Sequence, residues 1–201
     1  MSDWLPPSFD CRDAFPALCP VLEEPIQQHL GTCWFHSAVT ALRCWFLSGS
    51  NIPSNTRLVP VPPQAMPHCG SEREGYPEKV LESLTGIPPK RLQGQDEIRR
   101  SLKRSGPVVS VAYQTPAGAH AVVIFGYKTT EDGQLMWLVK DSNASQGADV
   151  YETPFGQYGI EDVVLEIPQP TDGGRLPGID PSPFPQPTYS PRPIPQPTYS
   201  P

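Results

Sequence analysis

The composition of the chain breaks at Ile167, and that break decides how much of it can form a packed domain. From Pro168 onward it reads PQPTDGGRLPGIDPSPFPQPTYSPRPIPQPTYSP, in which Pro181–Ser190 (PSPFPQPTYS) recurs as Pro191–Ser200 (PRPIPQPTYS). Proline fixes φ and has no amide proton, so such a run forms neither a helix nor a central strand. Residues 169–201 are therefore expected to be a disordered, extended polyproline II tail. Residues 1–168 are expected to be one folded domain, and a domain of about 150 residues buries roughly two-thirds of its unfolded surface. Two readings of the tail stand side by side, a linker or a docking segment for a protein partner. PxxP does not occur within the repeat, which weakens a simple SH3-ligand reading. Tyr189 and Tyr199, in identical PTYSP contexts, are candidate modification sites.

The formal net charge of -6 and the pI near 5.2 argue against nucleic acid as the main partner, since a phosphate-binding surface needs a basic excess. Lys90–Arg91 and Arg99–Arg100 are only local basic strips. No segment reaches the roughly 18 to 20 apolar residues of a membrane span, so no membrane partner is expected. The start, MSDWLPPSFD, lacks the basic residues and apolar run of a secretory signal, and a cytoplasmic or otherwise intracellular location is expected. The cysteines are Cys11, Cys19, Cys33, Cys44 and Cys69. Their odd number and the absence of a close pair give no disulfide framework. His68–Cys69 has no partner pair at zinc spacing, and neither metal nor cofactor is expected.

Within residues 1–168, Thr32–Phe46 (TCWFHSAVTALRCWF) is apolar nearly all round, the pattern of a buried helix, with Thr at its start. Tyr76–Leu84 carries Pro77 at a first helical position and Val80, Leu81 and Leu84 on one face. Gln95–Lys103 reads as a third helix, stopped by Gly106–Pro107. Strand-like runs follow at Val108–Tyr113, His120–Tyr127, Leu135–Lys140 and Val163–Ile167, with a hairpin turn at Glu131–Asp132–Gly133. Helices first and strands afterwards give an α+β fold of two unequal lobes.

A thiol is a strong nucleophile only as the thiolate, and a helix N-terminus favours the anion through its unpaired amides and dipole. Of the five cysteines only Cys33 falls at such a position. Cys44 lies inside the same helix, and Cys11, Cys19 and Cys69 fall in irregular stretches.

Several segments, in chain order, carry a family resemblance. These are Leu5–Asp13 (LPPSFDCRD), Pro25–Ile26–Gln27 followed by Gly31–Thr32–Cys33–Trp34, Glu74–Gly75–Tyr76–Pro77–Glu78, Gly106–Pro107–Val108, Ala119–His120–Ala121–Val122 with Gly126–Tyr127, and Trp137–Ser142 (WLVKDS). Together they resemble the papain-type (papain/cathepsin-like) cysteine peptidases over residues 5 to about 143. The resemblance implies a papain-like fold, with a helical N-terminal lobe and an antiparallel β C-terminal lobe.

It also implies roles. Cys33 would be the nucleophile and His120 its base. Gln27 would donate its amide to the oxyanion beside the Cys33 N–H, with Gln28 as its neighbouring rival. Asp141, standing where the family usually has Asn, would orient the imidazole and stabilise the imidazolium. Gly75, Tyr76 and Trp34 would meet the substrate, Gly75 through its backbone, although packing is the preferred reading of Trp34. His36, on the nucleophile's helix, is the rival base.

The departures from the family pattern are specific. Leu30 replaces the disulfide-forming Cys before the nucleophile, leaving Cys69 a thiol. Asn143 replaces the Trp that shields the His–Asn bond. Cys33 and His120 are about 87 residues apart, against roughly 130 to 150 in papain and cathepsins. Much of the loss falls between Tyr113 and His120, beside the cleft. The expected activity is hydrolysis of peptide or isopeptide bonds through a Cys33 acyl-enzyme, with narrow specificity and a polypeptide substrate. Two alternatives are a transglutaminase-like acyltransferase of the same superfamily, which the acidic Asp141 fits, and an inactive protein-binding relic.

Overall fold

A computed structural model of the chain describes residues 4–28, 30–48, 68–71, 73–116, 118–143 and 149–168. The expected tail at 169–201, its tyrosines and its partner segment lie outside the described residues, as does His29. Among the described residues, seven strands form one antiparallel sheet: β1 (Phe9–Asp10), β2 (Lys90–Leu92), β3 (Val108–Thr115), β4 (Gly118–Thr129), β5 (Leu135–Lys140), β6 (Val150–Pro154) and β7 (Val164–Glu166). Their order is β2-β7-β3-β4-β5-β6, with β1 laid against β4. The helices are α1 (Cys11–Ala14), α2 (Cys19–Glu23), α3 (Cys33–Ser48), α4 (Pro77–Thr85) and α5 (Gly94–Ser105). The α+β class holds, and the three longer helices and four strands read from the sequence all form, within two residues at each end.

Side chains alternate across the sheet between two cores. Val108, Val122, Ile124 and Val164 face one core, and Val109, Val123 and Leu165 face the other. Because both faces are covered, these strands read as continuous apolar runs rather than as alternating ones. The second core is built with Trp34, Ala38, Ala41 and Trp45 of α3 and Val80 and Leu81 of α4. The first takes Ile98 and Leu102 of α5 together with Cys11, Leu18 and Leu22. The papain-like α+β fold is as expected, with α3 and α4 forming most of the helical side of the second core and α1, α2 and α5 contributing to the first. Gly126 explains how the N-terminus gets there. A Cβ on Gly126 would lie 2.5 Å from the Phe9 carbonyl oxygen, so only glycine lets β1 cross β4 at the Asp10–Gly126 register.

Two features aim the sheet at α3. The β3–β4 register shifts between Ser110 and Tyr113 and then pairs Tyr113 with His120, and such bulges re-aim side chains. The β4–β5 turn closes through Thr130 N donating to the Gln134 carbonyl at 2.8 Å, with Gly133 at φ 84°.

Candidate active site

The expected site residues arrive from three elements. Cys33 opens α3, His120 sits near the start of β4, and Asp141 follows the last residue of β5. The helix start is stabilised locally, with the amides of Phe35 and His36 donating to the Thr32 carbonyl at 3.0 and 3.2 Å. Val123, on β4, packs in the same core as α3, which brings the strand carrying His120 beside the helix carrying Cys33.

His120 Nε2 lies 2.6 Å from Asp141 Oδ1, leaving Nδ1 as the ring nitrogen for Cys33. Burial alone would lower the imidazole's pKa. Hydrogen bonds and opposite charge from Asp141 and Cys33 outweigh it and hold the pKa up at about 9. Burial likewise would raise the Cys33 thiol. The hydrogen bond and charge of His120, with the backbone amides of Ala121 and Trp34, hold it below its ordinary value instead. Burial of Asp141 is offset by His120, by the Asn143 amide at 2.8 Å and by the Tyr151 hydroxyl at 3.1 Å, so its carboxyl is held low. The arrangement favours a thiolate–imidazolium pair backed by a carboxylate.

His36 does not share in it. Burial lowers its pKa, and it lines a narrow crevice with Thr40, Asp141 and Ser142. His120, not His36, acts on the Cys33 thiol. Burial pushes the Cys11 thiol up and the Cys44 thiol to about 12, and all five cysteines are free.

The two glutamines differ in freedom. Gln28 is tied down, its amide N donating to the Ser142 carbonyl at 2.6 Å and its Oε1 accepting from Ser142 Oγ at 2.7 Å. Gln27 is exposed, bridges Asn143 through its backbone, and makes only a 3.4 Å side-chain contact with the Gln28 carbonyl. Among the described contacts, its carboxamide has no stronger partner than the Gln28 carbonyl.

Of the three residues expected to meet substrate, Tyr76 is 55% exposed and Gly75 is half-buried, while Trp34 is 2% exposed. The Trp34 expectation is corrected accordingly. Its indole lies directly under Gly75, where an added Cβ would come within 2.3 Å of Cδ2, and its Nε1 donates to the Ser71 carbonyl at 3.1 Å. Trp34 supports the Gly70–Gly75 bridge rather than offering a face of its own. Gly31 is equally constrained, since a Cβ there would meet the Arg73 carbonyl oxygen at 2.2 Å. The segment around Gly75 is therefore packed onto Gly31 and the Trp34 indole.

Tyr151 is a site residue that sequence reading misses. Its strand, VYETP, ends in Pro and carries one Glu, and nothing local marks it as a partner of Asp141.

No protein-family model matches the chain, and no curated protein sequence does. Solved structures do match. Over 81% of this chain, procathepsin B S9 from Trypanosoma congolense superposes at a TM-score of 0.64 and 16% identity, covering 77% of that chain. The bromelain protease from Ananas comosus, in complex with the E64 inhibitor, superposes at 0.57 and 14% identity over 98% of its own length. Procathepsin L 3 from the larval midgut of Tenebrio molitor superposes at 0.62 and 14% identity, over 70% of that chain. The fold is the papain-like fold.

Proposed function

We propose that the chain is a cysteine-type peptidase that hydrolyses peptide or isopeptide bonds through an acyl-enzyme on Cys33. The observation that supports this reading most is the 2.6 Å Asp141–His120 hydrogen bond, with His120 in turn hydrogen-bonded to the Cys33 thiol. The thiolate attacks the scissile carbonyl carbon, and the carbonyl electron pair moves onto oxygen. In this reading the Cys33 N–H and the Gln27 carboxamide bind that oxyanion. Imidazolium His120 gives its proton to the departing amine as the C–N bond breaks. Water, deprotonated by His120, then attacks the thioester, and Cys33 leaves as thiolate. These steps call on no metal or cofactor.

The substrate is a polypeptide, read along the backbone of Gly75 with Tyr76 exposed beside it. Narrow specificity is part of this reading, and the β3–β4 register that closes at Thr115–Gly118 accords with the trimmed lobe it was read from. The test is hydrolysis of a peptide and isopeptide substrate panel by wild type and Cys33→Ala. Cleavage by the wild type alone supports the reading, and no cleavage across the panel with either protein counts against it.

One observation favours a second reading. A carboxylate at Asp141 suits acyl transfer of the transglutaminase type as well as hydrolysis. Incorporation of a primary amine into a glutamine-containing peptide, without net hydrolysis, would select it.

A further inference from the structure

Asp141 is a carboxylate only 5% exposed, and each of its oxygens has a separate use. Oδ1 accepts from His120 Nε2 at 2.6 Å and from the Asn143 amide at 2.8 Å. Oδ2 accepts from the Tyr151 hydroxyl at 3.1 Å. Tyr151 comes from β6, where it pairs with Val139, two residues before Asp141. Its phenol neighbours that of Tyr113, the residue that the β3 bulge sets opposite His120. Tyr113 is 6% exposed, and its hydroxyl is a hydrogen-bond neighbour of the Tyr151 hydroxyl.

The chemistry explains why the Tyr151 donor is needed. An asparagine side chain accepts at one end and donates at the other. An ionised aspartate only accepts, so when buried both of its oxygens need donors. An oxygen without one would let the carboxylate rotate away from the imidazole plane or draw in water. Resting on the Cys33–His120 chemistry proposed above, we infer that Tyr151 is a positioning residue that acts through Asp141, its hydroxyl fixing the carboxylate so that Oδ1 stays on His120. Tyr151 touches neither the nucleophile nor the base among the described contacts, and its effect passes through the carboxylate alone.

The inference is tested by the pH dependence of Cys33 alkylation with iodoacetamide, on the full chain, with the melting temperature recorded for each variant. Wild type should show an acidic limb from the Cys33 thiol in alkylation, and kcat/KM for a peptide ester, followed in parallel, should show the alkaline limb from His120. In Tyr151→Phe a looser carboxylate stabilises the imidazolium less, so His120 falls and Cys33 rises. Both limbs should move inward by roughly half a unit to one unit, the size of one net hydrogen bond. Tyr113→Phe should move them the same way by less, and it serves as the test if Tyr151→Phe does not fold. In an Asp141→Ala background, adding Tyr151→Phe should change the profile no further.

Superimposable profiles for wild type and Tyr151→Phe would overturn the inference, as would an equal shift in the Asp141→Ala background, which would mark a purely structural role. A wild type with no acidic limb below the ordinary thiol range would overturn the peptidase reading itself. A normal wild-type profile with an unmoved variant overturns only the role of Tyr151.

Discussion

His120 Nε2 and Asp141 Oδ1 are 2.6 Å apart, and the two side chains are only 10% and 6% exposed. An imidazole this buried would ordinarily shed its proton. Here the carboxylate and the thiolate reverse that preference, and His120 keeps its proton up to about 9. Asp141 thus bears on the thiol through His120, whose hydrogen bond and charge hold Cys33 below its ordinary value.

That coupling fixes the pH dependence of activity. The reactive form needs Cys33 ionised, which happens below the ordinary thiol value, and His120 protonated, which fails through about 9. Plotted against pH, kcat/KM for a peptide ester should rise on the acid side and fall through about 9. A single sigmoid that keeps rising with Cys33 at an ordinary thiol value would contradict the coupling.

Asp141 also links the site to acid stability. Its folded pKa lies below the ordinary 3.8, so its ionised form stabilises the fold above that value, and the contribution disappears as pH falls through the lowered one. Thermal melts of wild type and Asp141→Asn should differ at pH 7 and converge near pH 2. Activity of Asp141→Ala should drop roughly tenfold to hundredfold, as expected when a buried hydrogen bond of about 1–3 kcal/mol is lost.

Gln27 and the thiolate can be separated experimentally. Alkylation of Cys33 forms no oxyanion, whereas amide hydrolysis does. Gln27→Ala should therefore lower kcat by about a hundredfold or more, as for other single oxyanion donors, and leave the iodoacetamide rate near wild type. Equal loss in both assays would assign Gln27 a structural role, and Gln28→Ala is the control for its tethered neighbour.

Gly75 should not tolerate a methyl group. The Cβ of Gly75→Ala would lie 2.3 and 2.4 Å from two atoms of the Trp34 indole, and overpacking of this kind costs about 1–3 kcal/mol. Urea unfolding should show a lower midpoint for Gly75→Ala and partial recovery in Gly75→Ala/Trp34→Phe. An unchanged midpoint would mean that the loop does not rest on Trp34.

The sequence made some of this legible and hid the rest for identifiable reasons. Thr32–Phe46 is apolar on every side because α3 is packed between α4 and the sheet, so its helix and the place of Cys33 at its start could be read directly. The apolar run Leu135–Lys140 coincides with β5, because a turn at Asp132–Gly133 and the charged Asp141 bound it on both sides. Short elements left no period to detect: β1 is two residues long, and β2 is a charged edge, Lys-Arg-Leu. Trp34 was ambiguous because an aromatic beside a nucleophile can line a cleft or fill a core. Only the close approach of Gly75 decides between them. Tyr151 was invisible because its partner lies across a strand pair, at a distance set by tertiary register rather than by sequence spacing.

The central claim is that Cys33 alone is activated, and by His120. It is tested most directly by labelling the native protein with an epoxysuccinyl probe and mapping the modified peptides, in wild type and in His120→Ala. The account predicts rapid modification of Cys33 only, abolished in His120→Ala, with the buried Cys11 and Cys44 unreactive. Slow labelling, labelling spread over Cys11, Cys19, Cys44 and Cys69, or a Cys33 rate unchanged in His120→Ala would contradict it.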